Sequence, residues 1–93
     1  MRTARGRVPI RHHTGLHARP AVKLTRLART FPAEVRLRGS PDGTWVDAKS
    51  IVNVMSLKLP TGTTLEIEVT GEGAESALAA LTGLVARDFD EEH

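Results

Sequence analysis

The chain has 93 residues, enough for one small domain, and no cysteine, so disulfides, iron–sulfur ligation and thiol catalysis are excluded. Its apolar runs fall far short of the roughly 20 residues of a membrane-spanning helix, and Met1 leads into Arg2, Arg5 and Arg7, so neither membrane insertion nor a secretory signal is expected. The net charge is only +2, but residues 1–33 carry eight Lys/Arg and no acid, whereas residues 66–93 carry eight acids and one base. The basic half is where a phosphate or an acidic partner belongs, and the acidic half reads as a solvated back face.

In chain order, residues 3–10 read as a first strand with Val8 and Ile10 on one face, and Pro9 suits an edge position. His12-His13-Thr14-Gly15 breaks the pattern. From about 18 to 30, Ala21, Leu24, Ala28 and Phe31 form an apolar stripe opposite Lys23, Arg26 and Arg29, which predicts an amphipathic helix stopped by Pro32. Ala33, Val35 and Leu37 alternate with charged residues as a half-buried strand, and a turn at 39–43 leads to a short strand at Thr44–Asp47, with Trp45 as partly buried packing. A second helix is expected from Ser50 to Leu57, a fourth strand around Leu65, Ile67 and Val69, and a third helix whose stripe runs from Ala74 through Leu78 and Val85 to Phe89. The order βαββαβα, with every element half polar, predicts a single two-layer α+β domain over 1–93, its helices packed on one face of one sheet.

The chemistry concentrates in Thr14-Gly15-Leu16-His17-Ala18-Arg19-Pro20. His17 falls where a loop enters a helix, and the unpaired N–H groups and positive end of the helix there favour an anion. Arg19 adds a planar fork suited to phosphate oxygens. A phosphoryl group carried on the His17 ring fits these residues, and so does a histidine that only packs at a helix start. A metal site of His12, His13 and His17 is disfavoured, because no acid or cysteine occurs before Glu34 to complete a ligand set. Ser50 reads as the N-cap of the second helix and equally as a place that would accept a phosphate. Ile51, Val52, Val54, Met55 and Leu59 are more apolar than a short one-sided helix needs, which leaves a residue or two for docking. A nucleic-acid-binding module built on the basic half is the reading from another class. Its weakness is the scarcity of aromatics, 3% of the chain, together with the low net charge.

Gly15-Leu16-His17-Ala18-Arg19-Pro20-Ala21 resembles the active-site signature of the HPr family, the histidine-containing phosphocarriers of the phosphoenolpyruvate-dependent sugar phosphotransferase system. Ala48-Lys49-Ser50-Ile51-Val52-Asn53-Val54-Met55-Ser56-Leu57 resembles that family's second signature, around its regulatory serine. The resemblance implies an open-faced β-sandwich, four antiparallel strands covered on one side by three helices. It implies a cytoplasmic, monomeric, stoichiometric carrier with no cofactor of its own rather than an enzyme. His17 would take a phosphoryl group at Nδ1 from phosphorylated enzyme I and pass it to a IIA domain of a sugar permease, with Arg19 binding the phosphate. Ser50 would be the site of an HPr kinase/phosphorylase, and Leu16, Arg26, Ile51, Val52 and Met55 would form the docking surface. A paralogous carrier in a nitrogen-related or other regulatory phosphorelay is the alternative within the same chemistry. Thr14, Asn53, the long 39–43 turn and the acidic end Asp88–His93 depart from the usual family pattern.

Overall fold

A computed structural model describes residues 2–90; the last part of the acidic end, residues 91–93, lies outside the described residues. The elements are β1 (Thr3–Pro9), α1 (Arg19–Arg29), β2 (Glu34–Gly39), β3 (Val46–Asp47), α2 (Ile51–Ser56), β4 (Thr64–Thr70) and α3 (Ala74–Ala86), followed by a 3-10 turn at Asp88–Asp90. The strands form one antiparallel sheet in the order β1-β4-β2-β3. Pro9 lies on the edge strand β1, where its missing N–H costs no ladder bond.

The core follows from the two periodicities. Alternation along the strands sends Val8, Val35, Leu37, Leu65, Ile67 and Val69 to one face, and the register sets Val35 opposite Val69 and Leu37 opposite Ile67. All six are buried, packed with Ala21, Leu24 and Ala28 of α1, Val54 of α2 and Ala77, Leu81 and Val85 of α3. Three helices on one face and an open face opposite make an open-faced α+β sandwich.

Three details differ from the sequence pattern. β3 is two residues long, and Trp45 precedes it instead of lying within it. α3 ends at Ala86, and Phe89 reaches the core from a separate turn whose three residues all have left-handed backbone, φ 56–58°. The third concerns the open face, where the acidic half is not simply solvated.

Glu66 and Glu68 point away from the core yet are only 4% and 3% exposed. Each stands directly across from arginines on the neighbouring strands, Arg5 and Arg36 beside Glu68, Arg7 and Arg38 beside Glu66. The Arg5 Nε–H donates to Glu68 at 2.7 Å, Arg36 pairs with the other oxygen of the same carboxylate, and the Arg38 Nε–H donates to Glu66 at 2.9 Å. The half-buried Trp45 ring packs against this layer, with the Arg38 guanidinium 4.5 Å from its centroid and those of Arg36 and Arg5 at 5.7 and 5.8 Å. Long arginine stems roof the carboxylates, so alternation predicts the direction of Glu66 and Glu68 but not their burial.

This arrangement carries a pH dependence. Burial pushes the Glu68 carboxyl up, but hydrogen bonds and charge from Arg5 and Arg36 outweigh it and hold the group below its ordinary 4.5. A depressed folded value means that the stabilisation is complete above about pH 4.5 and is lost as pH falls through the folded value. The folded protein is therefore expected to lose stability on acidification below that range. Glu68→Gln should flatten this acid limb and cost about 1–3 kcal/mol at pH 7, less than a fully buried pair because both cations reach water. Urea unfolding of both proteins across pH 3–7 checks this; parallel curves would rule it out.

Candidate functional site

The loop after β1 is tied down before it reaches His17. The Ile10 N–H donates to the Thr63 carbonyl at 2.9 Å, and the Ile10 carbonyl accepts from the Gly62 N–H at 2.8 Å. The Gly15 N–H then donates to the His12 carbonyl at 2.8 Å, and the Leu16 N–H to the Leu59 carbonyl at 2.9 Å. Gly15 sits at φ +70° with the Leu59 carbonyl so close that a Cβ would lie 2.3 Å from its oxygen, so glycine is required on both counts.

Leu16 has no exposed surface. Its side chain plugs the loop into the core, which removes Leu16 from the docking surface expected of it. After the buried Leu16 the chain turns outward again at His17, which is exposed and whose ring makes no hydrogen bond to a described residue. Ala18 follows in a strained conformation, φ 53° and ψ −126°, as the N-cap of α1. No side chain caps this helix, its first turn contains no acid, and Pro20 supplies no N–H. The result is a helix start with positive potential, an exposed imidazole two residues before it and an exposed arginine, Arg19, as its first residue. Such a corner suits a phosphoryl group on the ring.

Ser50 is the N-cap of α2, with extended backbone, and its hydroxyl accepts from the Asn53 N–H at 3.3 Å. α1 packs against α2. Between them lies a groove of about 150 Å³ lined by Val22, Thr25, Arg26, Arg29 and Ile51. Arg26 and Ile51 thus stand together, whereas Val52, 74% exposed, projects freely from α2 and Met55 is half-buried. Sequence reasoning missed Val22, which is 36% exposed; the available signal was an apolar residue interrupting the polar side of α1. His12, considered from sequence only as a metal ligand, is buried within the loop, where its ring meets Thr14.

The sequence pattern of the family described as "PTS HPr component phosphorylation site" matches residues 4–87. The chain belongs to the HPr family. It is 41% identical over 90 residues to phosphocarrier protein NPr of Escherichia coli (strain K12), covering 97% of this chain and 99% of that one. It is 44% identical over 77 residues to phosphocarrier protein HPr of Cupriavidus necator, covering 83% and 84%. Its fold matches the crystal structure of HPr-C-His from Thermoanaerobacter tengcongensis with a TM-score of 0.88 at 33% identity, over 97% and 99% of the two chains. As an HPr-family phosphocarrier, the protein has both family signatures at helix starts, one opening α1 and the other opening α2.

Proposed function

We propose that His17 is the phosphoryl acceptor and that Arg19 steadies the bound phosphate. The observation that supports this most directly is the exposed His17 ring at the uncapped, acid-free start of α1, on a loop anchored by Leu16. In the transfer, the Nδ1 lone pair forms a bond to phosphorus as the bond from phosphorus to the donor breaks, and Nε2 keeps its proton. The transition state is loose and in line, so the protein's part is to position the group and balance its charge. One arginine and a helix end give moderate stabilisation, which suits a phosphoramidate that must form and then discharge.

The donor in this reading is phosphorylated enzyme I and the acceptor a IIA domain of a sugar permease, with the chain acting in the cytoplasm as a monomeric, single-domain stoichiometric relay. Arg26, Ile51, Val52 and Met55 form the docking face. A second pathway, a nitrogen-related phosphorelay, is supported by the likeness to proteins named NPr over 97% of the chain. Incubation with phosphoenolpyruvate and enzyme I should produce an acid-labile, alkali-stable phosphate on the protein; absence of label overturns the assignment. Offering the labelled protein to a sugar-specific and a nitrogen-related IIA domain then separates the pathways by discharge rate.

Ser50 is assigned as the regulatory site of an HPr kinase/phosphorylase. Aspartate is itself a good N-cap, so Ser50→Asp should leave the melting temperature nearly unchanged. A fixed negative charge beside Ile51 and Val52 repels acidic partner side chains, so phosphorylation of His17 should slow roughly tenfold at low salt and less at high salt. Stopped reactions at two salt concentrations, with a melting curve on the same sample, check both halves. Unchanged transfer at low salt removes Ser50 as a switch.

A further inference from the structure

One buried ring outside the His17–Arg19 corner is built into the loop that carries the acceptor. His12 is 3% exposed. Its Nδ1 accepts the Thr14 backbone N–H at 3.2 Å and lies 2.9 Å from the Thr14 hydroxyl, and its carbonyl accepts the Gly15 N–H at 2.8 Å. A backbone N–H only donates, so Nδ1 presents its lone pair and the ring proton sits on Nε2. The Thr14 N–H is aimed at that lone pair, and the Thr14 hydroxyl lies beside both it and the Gly15 carbonyl, 3.4 Å away.

The ring is itself held in place. His13 stacks on it at 4.6 Å, and Phe89 meets it edge-on at 6.1 Å. Phe89 is fully buried, and its carbonyl accepts from the Lys23 Nζ of α1 at 2.9 Å. His12 thus stands between the C-terminal turn and the loop, bonded to the two residues that lead into Leu16. Beyond Leu16 the next group is the His17 imidazole.

We propose that His12 is a positioning residue for phosphoryl transfer at His17: its Nδ1 acceptor fixes Thr14, and with it the course of the segment that sets where the His17 ring stands at the start of α1. The inference rests on His17 being the acceptor. Thr14 is exposed, so water replaces the acceptor if His12 loses it, and the fold gives up little. In-line transfer is far more sensitive, because a displacement of about 1 Å at the reacting atom costs up to about 100-fold in rate.

The test compares His12→Phe, which keeps a ring of similar size without the acceptor, with His12→Asn, whose Oδ1 takes the place of Nδ1. Transfer from phosphorylated enzyme I is followed as the rate within the complex and as KM for enzyme I. His12→Phe should slow the step within the complex about tenfold with KM unchanged, and His12→Asn should return it to within about twofold of the parent. Exchange of the Thr14 amide proton should quicken in His12→Phe and recover in His12→Asn. His12→Leu, which also lacks an acceptor, serves if His12→Phe does not fold. A His12→Phe rate equal to the parent, a His12→Asn rate as slow as His12→Phe, or an effect confined to KM overturns the inference while leaving the carrier assignment standing. A parent protein that takes no phosphate overturns both.

Discussion

His17→Ala is expected to abolish phosphate uptake from phosphorylated enzyme I while shifting the melting temperature by only a few degrees. The ring is exposed and has no hydrogen bond to a described residue, so its removal belongs with surface substitutions that change stability by about 0.5 kcal/mol or less. In a domain of this size that amounts to roughly 2–4 °C. The chemical loss should be total, because neither neighbouring ring is placed to substitute. His12 is buried with its Nδ1 engaged by Thr14, and His13 is stacked on it. Phosphate labelling of the variant beside the parent, with melting curves on both, gives the comparison. Label persisting on His12 or His13 would falsify the assignment of His17.

Much of this architecture is legible from spacing. Val35 and Leu37 in β2, and Leu65, Ile67 and Val69 in β4, alternate with charged residues and can serve only as half-buried strands. Ala21, Leu24 and Ala28 mark the buried face of α1 with equal clarity. The corner that holds His17 is legible for a different reason: a histidine, an arginine and a proline at a helix start have few joint purposes, and the serine-bearing second signature narrows them further.

What spacing does not show is which polar groups the fold covers. Glu66 and Glu68 alternate outward as expected, yet cross-strand register brings arginines from two other segments over them. Burial there depends on partners 28 to 63 residues away, which no local period contains. Leu16 fails for the opposite reason. A lone apolar residue in a loop between Gly15 and His17 looks like a contact for a partner, and only the Leu59 carbonyl, 43 positions further on and bonded to its N–H, turns it into the core. Phe89 lies beyond the end of α3 and continues its apolar stripe by count, although the left-handed turn at 88–90 delivers it to the core by another route.

Gly15→Ala is expected to produce the largest loss of stability among the single substitutions considered, and it separates steric contact from backbone strain. At φ +70° an alanine pays the left-handed penalty of about 1–2 kcal/mol. Its Cβ would also lie 2.3 Å from the Leu59 oxygen and 2.9 Å from the Pro60 Cα, both backbone atoms that cannot rotate away. Relief requires the loop to move off Leu59, which stretches the Leu16 N–H bond to that same oxygen and draws Leu16 from its buried place. Overpacking of this kind adds about 1–3 kcal/mol, for a combined loss of about 2–5 kcal/mol. For a domain this small that corresponds to a melting temperature lower by roughly 8–40 °C. Gly73 is the internal control: its φ is +74°, nearly the same, but nothing lies within 4 Å of an added Cβ. Gly73→Ala should therefore show the strain alone, about 1–2 kcal/mol, and transfer phosphate normally. Gly15→Ala should be slow in transfer even at temperatures where it is folded, because the displaced segment is the one that presents His17. Equal melting shifts for the two variants would mean that the Leu59 carbonyl does not confine the loop, and the positioning of His17 would then have to come from the His12–Thr14 contact and α1.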